Sequence, residues 1–119
     1  MLQDLFKDQS YFWDILGLPE NLTPKEIDDL TKTLALALYS EVGELVSGTN
    51  YKSHRGETFT PDSDKILFES VDVVRYIIAI LNLWNISPEK FLAAWRTKDK
   101  YLKASFYVKK INGTVIPLQ

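Results

Sequence analysis

Apolar residues recur along this chain at helical intervals. Leu2, Leu5, Phe6, Phe12, Trp13 and Leu16 predict a short amphipathic helix over residues 2–16. Gly17, Pro19 and Asn21 break it. In Thr23-Pro24-Lys25-Glu26, Thr23 serves as N-cap, Pro24 suits the first helical position and Glu26 completes a capping box. A helix is expected from there to about Ser47, terminated by Gly48. On it Ile27, Leu30, Leu34, Leu38 and Leu45 trace one seam at steps of three, four and seven.

Residues 48–63 read as a loop, rich in glycine, threonine, asparagine and proline, that carries Tyr51-Lys52-Ser53-His54-Arg55. A second long helix is expected from about Asp64 to Trp84, ended by Asn85. It is apolar around most of its circumference, so it belongs at the centre of a bundle or in an oligomer interface. Ser87-Pro88-Glu89 starts a fourth helix with another N-cap and N1 proline. Asn112-Gly113 between Ile111 and Val115 predicts a short C-terminal β-hairpin, with a disordered end as the alternative. The expected fold is therefore an all-α bundle of about four helices, completed by oligomerisation. Its single domain spans residues 1–119, with a core over 5–103 and a tail over 104–119.

Composition narrows the chemistry. With 45% hydrophobic and 25% charged residues, the 119-residue chain is of ordinary globular make-up. A net charge of −2 gives no electrostatic case for nucleic acid or an anionic membrane. Without cysteine, disulfides, zinc–thiolate sites and thiol catalysis are excluded. The one histidine, His54, excludes metal sites that need several imidazoles. Asp4, Lys7 and Asp8 interrupt any N-terminal apolar run, so no signal peptide is expected and Met1 reads as a natural start. The longest apolar segment, Val73 to Trp84, is too short to span a bilayer. A cytoplasmic protein is the expectation.

Two pairs of acids change the picture. Glu41 and Glu44 lie three residues apart on the second helix, as do Glu69 and Asp72 on the third. Three residues is close to one turn, so each pair shares a face. Glu41 falls on the apolar seam, between Leu38 and Leu45. A buried carboxylate needs a partner. On facing helices the pairs would bring four carboxylates together, and a cation would be needed to keep them all ionised. Oxygen ligands point to Mg²⁺ or Mn²⁺. The bland alternative is two ordinary surface pairs. Arg75 reads as a structural partner of Glu69 or Asp72, with a substrate contact as the alternative. Arg96, Lys98, Lys100 and Lys103 read alone as a solvated face near a helix C-terminus, or beside a metal cluster as phosphate ligands.

Glu41-Val-Gly-Glu44 and Glu69-Ser-Val-Asp72, separated by 24 residues, resemble the all-α nucleoside triphosphate pyrophosphatase superfamily. That group includes MazG-like proteins, dimeric dUTPases and dCTP pyrophosphatases. The dimeric dUTPase branch is most similar. Leu5-Phe6-Lys7-Asp8-Gln9 and Phe12-Trp13-Asp14-Ile15 resemble its N-terminal helix. Tyr51-Lys52-Ser53-His54 resembles its aromatic-Lys-x-Trp element, with His54 in the tryptophan's place, and Trp95 with Lys98 resembles its last helix.

The resemblance implies a homo-oligomer that hydrolyses a nucleoside triphosphate, such as dUTP or dCTP, to monophosphate and pyrophosphate. Glu41, Glu44, Glu69 and Asp72 would hold Mg²⁺, and Glu41, with Glu44 beside it, would act on the attacking water. Lys52, Arg55 and Lys98 would grip phosphates. Gln9 and Asn50 would read the base edge, and Tyr51, Trp13 or His54 would contact the base. The rival expectation is a non-catalytic helical interaction protein whose acids pair with Arg75, Lys65 and the basic last helix.

Overall fold

The computed structural model describes residues 1–15, 21–49 and 61–113. These residues form four helices and no strand: α1 (Leu2–Ile15), α2 (Pro24–Ser47), α3 (Ser63–Leu83) and α4 (Pro88–Gly113). The all-α class read from the apolar periodicity holds. By its internal contacts the chain divides into two units, Met1–Asn85 and Ile86–Gln119.

The start of α2 follows its capping residues. The Glu26 N–H donates to Thr23 Oγ1 at 3.1 Å, and the Thr23 N–H donates to Glu26 Oε1 at 3.0 Å. Two backbone donors that would otherwise lack partners are satisfied reciprocally. The backbone N–H of Thr23, and then its hydroxyl, hold the Glu26 carboxyl below its usual range. The far end of α2 departs from the left-handed glycine cap. Gly48 keeps a right-handed φ of −76°. Its surroundings are tight: a Cβ there would lie 3.1 Å from Ile66 Cγ1, which would have to give way slightly. The Asp62 N–H also donates to the Gly48 carbonyl at 3.0 Å. The end of α2 is thus pinned against the start of α3.

Asp62 caps α3, accepting from the Lys65 N–H at 3.1 Å. The helix ends at Trp84 and Asn85, and Asn85 takes a φ of 54°. Asparagine tolerates this left-handed conformation better than most residues that carry a Cβ. Both α1 and α2 pack on α3, which is therefore the central element of the first unit. Among the described residues, Phe6, Ile78, Ala79 and Leu83 are its buried apolar side chains. Polar contacts tie its helices as well. Asn82 Nδ2 donates to the Phe6 carbonyl at 3.1 Å, and Trp84 Nε1 donates to Thr31 Oγ1 at 2.8 Å.

In the second unit, the Lys90 N–H donates to Ser87 Oγ at 3.1 Å, so Ser87 caps α4 ahead of Pro88. α4 is helical through Gly113. Asn112 and Gly113 therefore lie in a helix, where the dipeptide predicted a hairpin turn. Residues 114–119, which would have formed the second strand, lie outside the described residues. Among the described residues, no helix is long and apolar enough to cross a membrane.

Candidate active site

The α2 seam reaches the site in the predicted register. Ile27, Leu30, Leu34, Leu38, Glu41 and Leu45 are all half-buried, so Glu41 lies in line with the leucines. Across from it, α3 presents Glu69 and Asp72. Glu41, Glu69 and Asp72 each offer a carboxylate oxygen within 4.8 Å of the others. The pairing of helices predicted from two acid pairs thus brings three acids of the four together.

Glu44 stands apart from that set. It is largely exposed and takes the Lys65 ammonium at 3.5 Å on Oε2. The same ammonium lies 3.9 Å from Glu69 Oε1. Lys65 is therefore a bridge between the two acid pairs. A partly exposed pair of this kind contributes little stability. A single ammonium also leaves most of the negative charge of four carboxylates unbalanced. Glu41 carries the strain. Burial pushes its carboxyl above the usual carboxylate range, as do a hydrogen bond to Glu69 and the charges of Asp72, Glu69 and Glu44. Three oxygen donors under like-charge stress suit a hard divalent cation, which would relieve that stress.

Gly43, between Glu41 and Glu44, has open space around it: a Cβ there would meet nothing within 4 Å. Close packing does not require glycine at this point of the helix.

The cluster borders a cavity of about 370 Å³. Glu41 and Asp72 line one part of it. Gln9, Phe12 and Trp13 of α1, Leu34 of α2, and Arg75, Tyr76 and Ala79 of α3 supply the remainder. Its size and mixed lining suit a small-molecule site. Gln9 and Trp13, expected at a base pocket, thus share a cavity with two of the acids.

Arg75 takes a place that the charge pattern did not predict. Among the described residues it forms no ion pair with Glu69 or Asp72. Its guanidinium lies 5.7 Å from the centroid of the Phe12 ring, and its Nη1 donates to Gln9 Oε1 at 3.3 Å. The reason is angular. Each step of three residues falls ~60° short of a full turn. Arg75 is therefore rotated well away from Glu69 and towards α1. The aromatic at Phe12 and the amide at Gln9 were the available signals, but only the docking of α1 on α3 brings them to Arg75.

Lys98 lies exposed on α4 in the second unit, where it lines a groove with Phe91, Trp95 and Leu102. On the same helix Lys103 pairs with Asp99 at 2.9 Å, as the solvated-face reading expects. Asn50, Tyr51, Lys52, His54 and Arg55 lie outside the described residues. No protein-family model, no curated protein and no solved structure matches this chain.

Proposed function

We propose that this protein is a Mg²⁺-dependent nucleoside triphosphate diphosphatase that cleaves a pyrimidine deoxynucleotide to monophosphate and pyrophosphate. The observation that carries the reading is the convergence of Glu41, Glu69 and Asp72 at the edge of a cavity lined by aromatic side chains. The resemblance of both acid motifs to the all-α nucleoside triphosphate pyrophosphatases supports it. Glu41, Glu69 and Asp72 would hold the ion, with Glu44 in reach only after leaving Lys65. Bound there, Mg²⁺ would neutralise the triphosphate and polarise its α-phosphoryl group.

The chain's own residues would do the rest. Glu41, whose raised pKa makes it the stronger base once ionised, would orient the attacking water and take its proton. The water oxygen bonds to the α-phosphorus, and the bond from that phosphorus to the bridging oxygen breaks, releasing pyrophosphate. Trp13 and Tyr76 offer flat faces for the base. Lys52 and Arg55 remain the proposed phosphate ligands, and Asn50, Tyr51 and His54 the proposed contacts to base or sugar. A cytoplasmic homo-oligomer is the proposed state.

The test is pyrophosphate release from a panel of nucleoside triphosphates, with and without Mg²⁺. Metal-dependent turnover of pyrimidine deoxynucleotides is expected. Glu41→Gln and Asp72→Asn should each lower kcat at least a hundredfold, since each removes a ligand or base from the reacting centre. A second reading, a non-catalytic interaction protein, draws on the Lys65 bridge between Glu44 and Glu69. It predicts no turnover of any nucleotide by folded protein, and no rise in Tm with Mg²⁺.

A further inference from the structure

Arg75 and Gln9 face the same cavity as the acids, and their hydrogen bond fixes what each can still offer. Guanidinium only donates, so the Gln9 atom that meets Arg75 Nη1 at 3.3 Å is the carbonyl Oε1. The amide's other end is then its amino group, again a donor. The face of the Phe12 ring, 5.7 Å from the guanidinium carbon, further orients Arg75. Among the described residues no carboxylate pairs with Arg75. One part of the cavity is thus rich in N–H donors, and the Gln9 carbonyl has already given one lone pair to Arg75.

We infer that Arg75, oriented by Gln9 and Phe12, is a specificity-determining residue that selects a pyrimidine edge with two adjacent acceptors. The inference rests on the nucleotide reading of this cavity. Cytosine presents such an edge in N3 and O2. Uracil and thymine place a ring N–H between their two carbonyls, which would set a donor against a donor. A site whose polar groups are left unpaired by the wrong ligand discriminates strongly. Planar two-point recognition of a base edge by guanidinium or amide is worth roughly tenfold or more in selectivity.

Two measurements test this, and they fail independently. The first is equilibrium binding of deoxycytidine and deoxyuridine monophosphates without metal, read as quenching of tryptophan fluorescence. Deoxycytidine monophosphate should bind about tenfold more tightly. Arg75→Met, which keeps the apolar stem against Phe12, should erase that ratio. Gln9→Glu, which replaces the amino group with an acceptor, should move the preference towards uracil. Equal binding of the two nucleotides, tighter binding of the uracil nucleotide, or no binding of either overturns the inference. So does an Arg75→Met protein that weakens both alike, because that marks a phosphate contact. The second measurement is turnover of the matching triphosphates with Mg²⁺. Absence of turnover beside selective binding would sink the diphosphatase reading and leave the selectivity standing.

Discussion

At Glu41 a single carboxyl lies in an apolar seam and faces two further acids. Its burial, its hydrogen bond to Glu69 and the neighbouring charges all raise its pKa. The folded chain therefore binds a proton more tightly than the unfolded chain does. Where the native state holds more protons, stability falls as pH rises. In metal-free protein the Glu41 contribution is present in full below the ordinary carboxylate range and is lost as pH rises through its raised value. Thermal melts in chelator across the acidic range should show Tm declining on that account, and Glu41→Gln should flatten the decline. An unchanged slope in the variant would assign the effect elsewhere. Saturating Mg²⁺ should restore Tm at neutral pH, because a ligand that binds only the folded state stabilises it.

At the scale of the helix, ends were more legible than partners. Thr23, Pro24 and Glu26 start α2 by short-range chemistry, which acts whatever the rest of the chain does. Thr23→Ala should lower stability by about 1 kcal/mol, read from the denaturation midpoint. Asp62, Ser87 and Asn85 likewise mark ends at or within a residue or two of the expected positions. Glu41's place on the seam was also legible, since a helical period fixes which residues share a face. What lay beyond reading was set by how helices dock. Glu44 shares a face with Glu41, yet it meets Lys65 and stands outside the three converging carboxylates. Arg75 shares a helix with Glu69 and Asp72, yet the rotation per residue delivers it to Gln9 and Phe12 of α1. The Asn112-Gly113 pair, read as a hairpin turn from its local chemistry, lies within α4.

Among the described residues, several large apolar side chains of α3 are exposed. Leu67, Phe68, Val71 and Val74 are exposed on α3, Leu67 by 58% and Phe68 by 67%. Leu67, Val71 and Val74 recur at steps of four and three, and so form one apolar stripe. Contiguous exposed apolar surface of this kind marks an interaction site. A second copy of the chain is the proposed occupant, in keeping with the homo-oligomer that the family resemblance implies. Sedimentation should therefore give a mass of at least twice 13.7 kDa. Leu67→Lys with Val71→Lys should shift it towards the monomer. A wild-type chain that sediments as a monomer at micromolar concentration would remove a second copy as the occupant.

Gly43 gives the site a property of its own. It lies within α2 between two of the acids, with open space where a side chain would be. Glycine inside a helix is destabilising by roughly 1 kcal/mol relative to alanine. Gly43 thus weakens α2 locally, next to Glu41 and Glu44, one turn before the end that is pinned to α3. Amide hydrogens near Gly43 should exchange with deuterium sooner than those near Leu34, and occupancy of the acid cluster by Mg²⁺ should slow them. Gly43→Ala should slow them without metal. If exchange there is already as slow as in the middle of α2, the glycine loosens nothing. If it is fast and Mg²⁺ slows it, filling the site steadies the last turns of α2, and metal binding doubles as a local folding step.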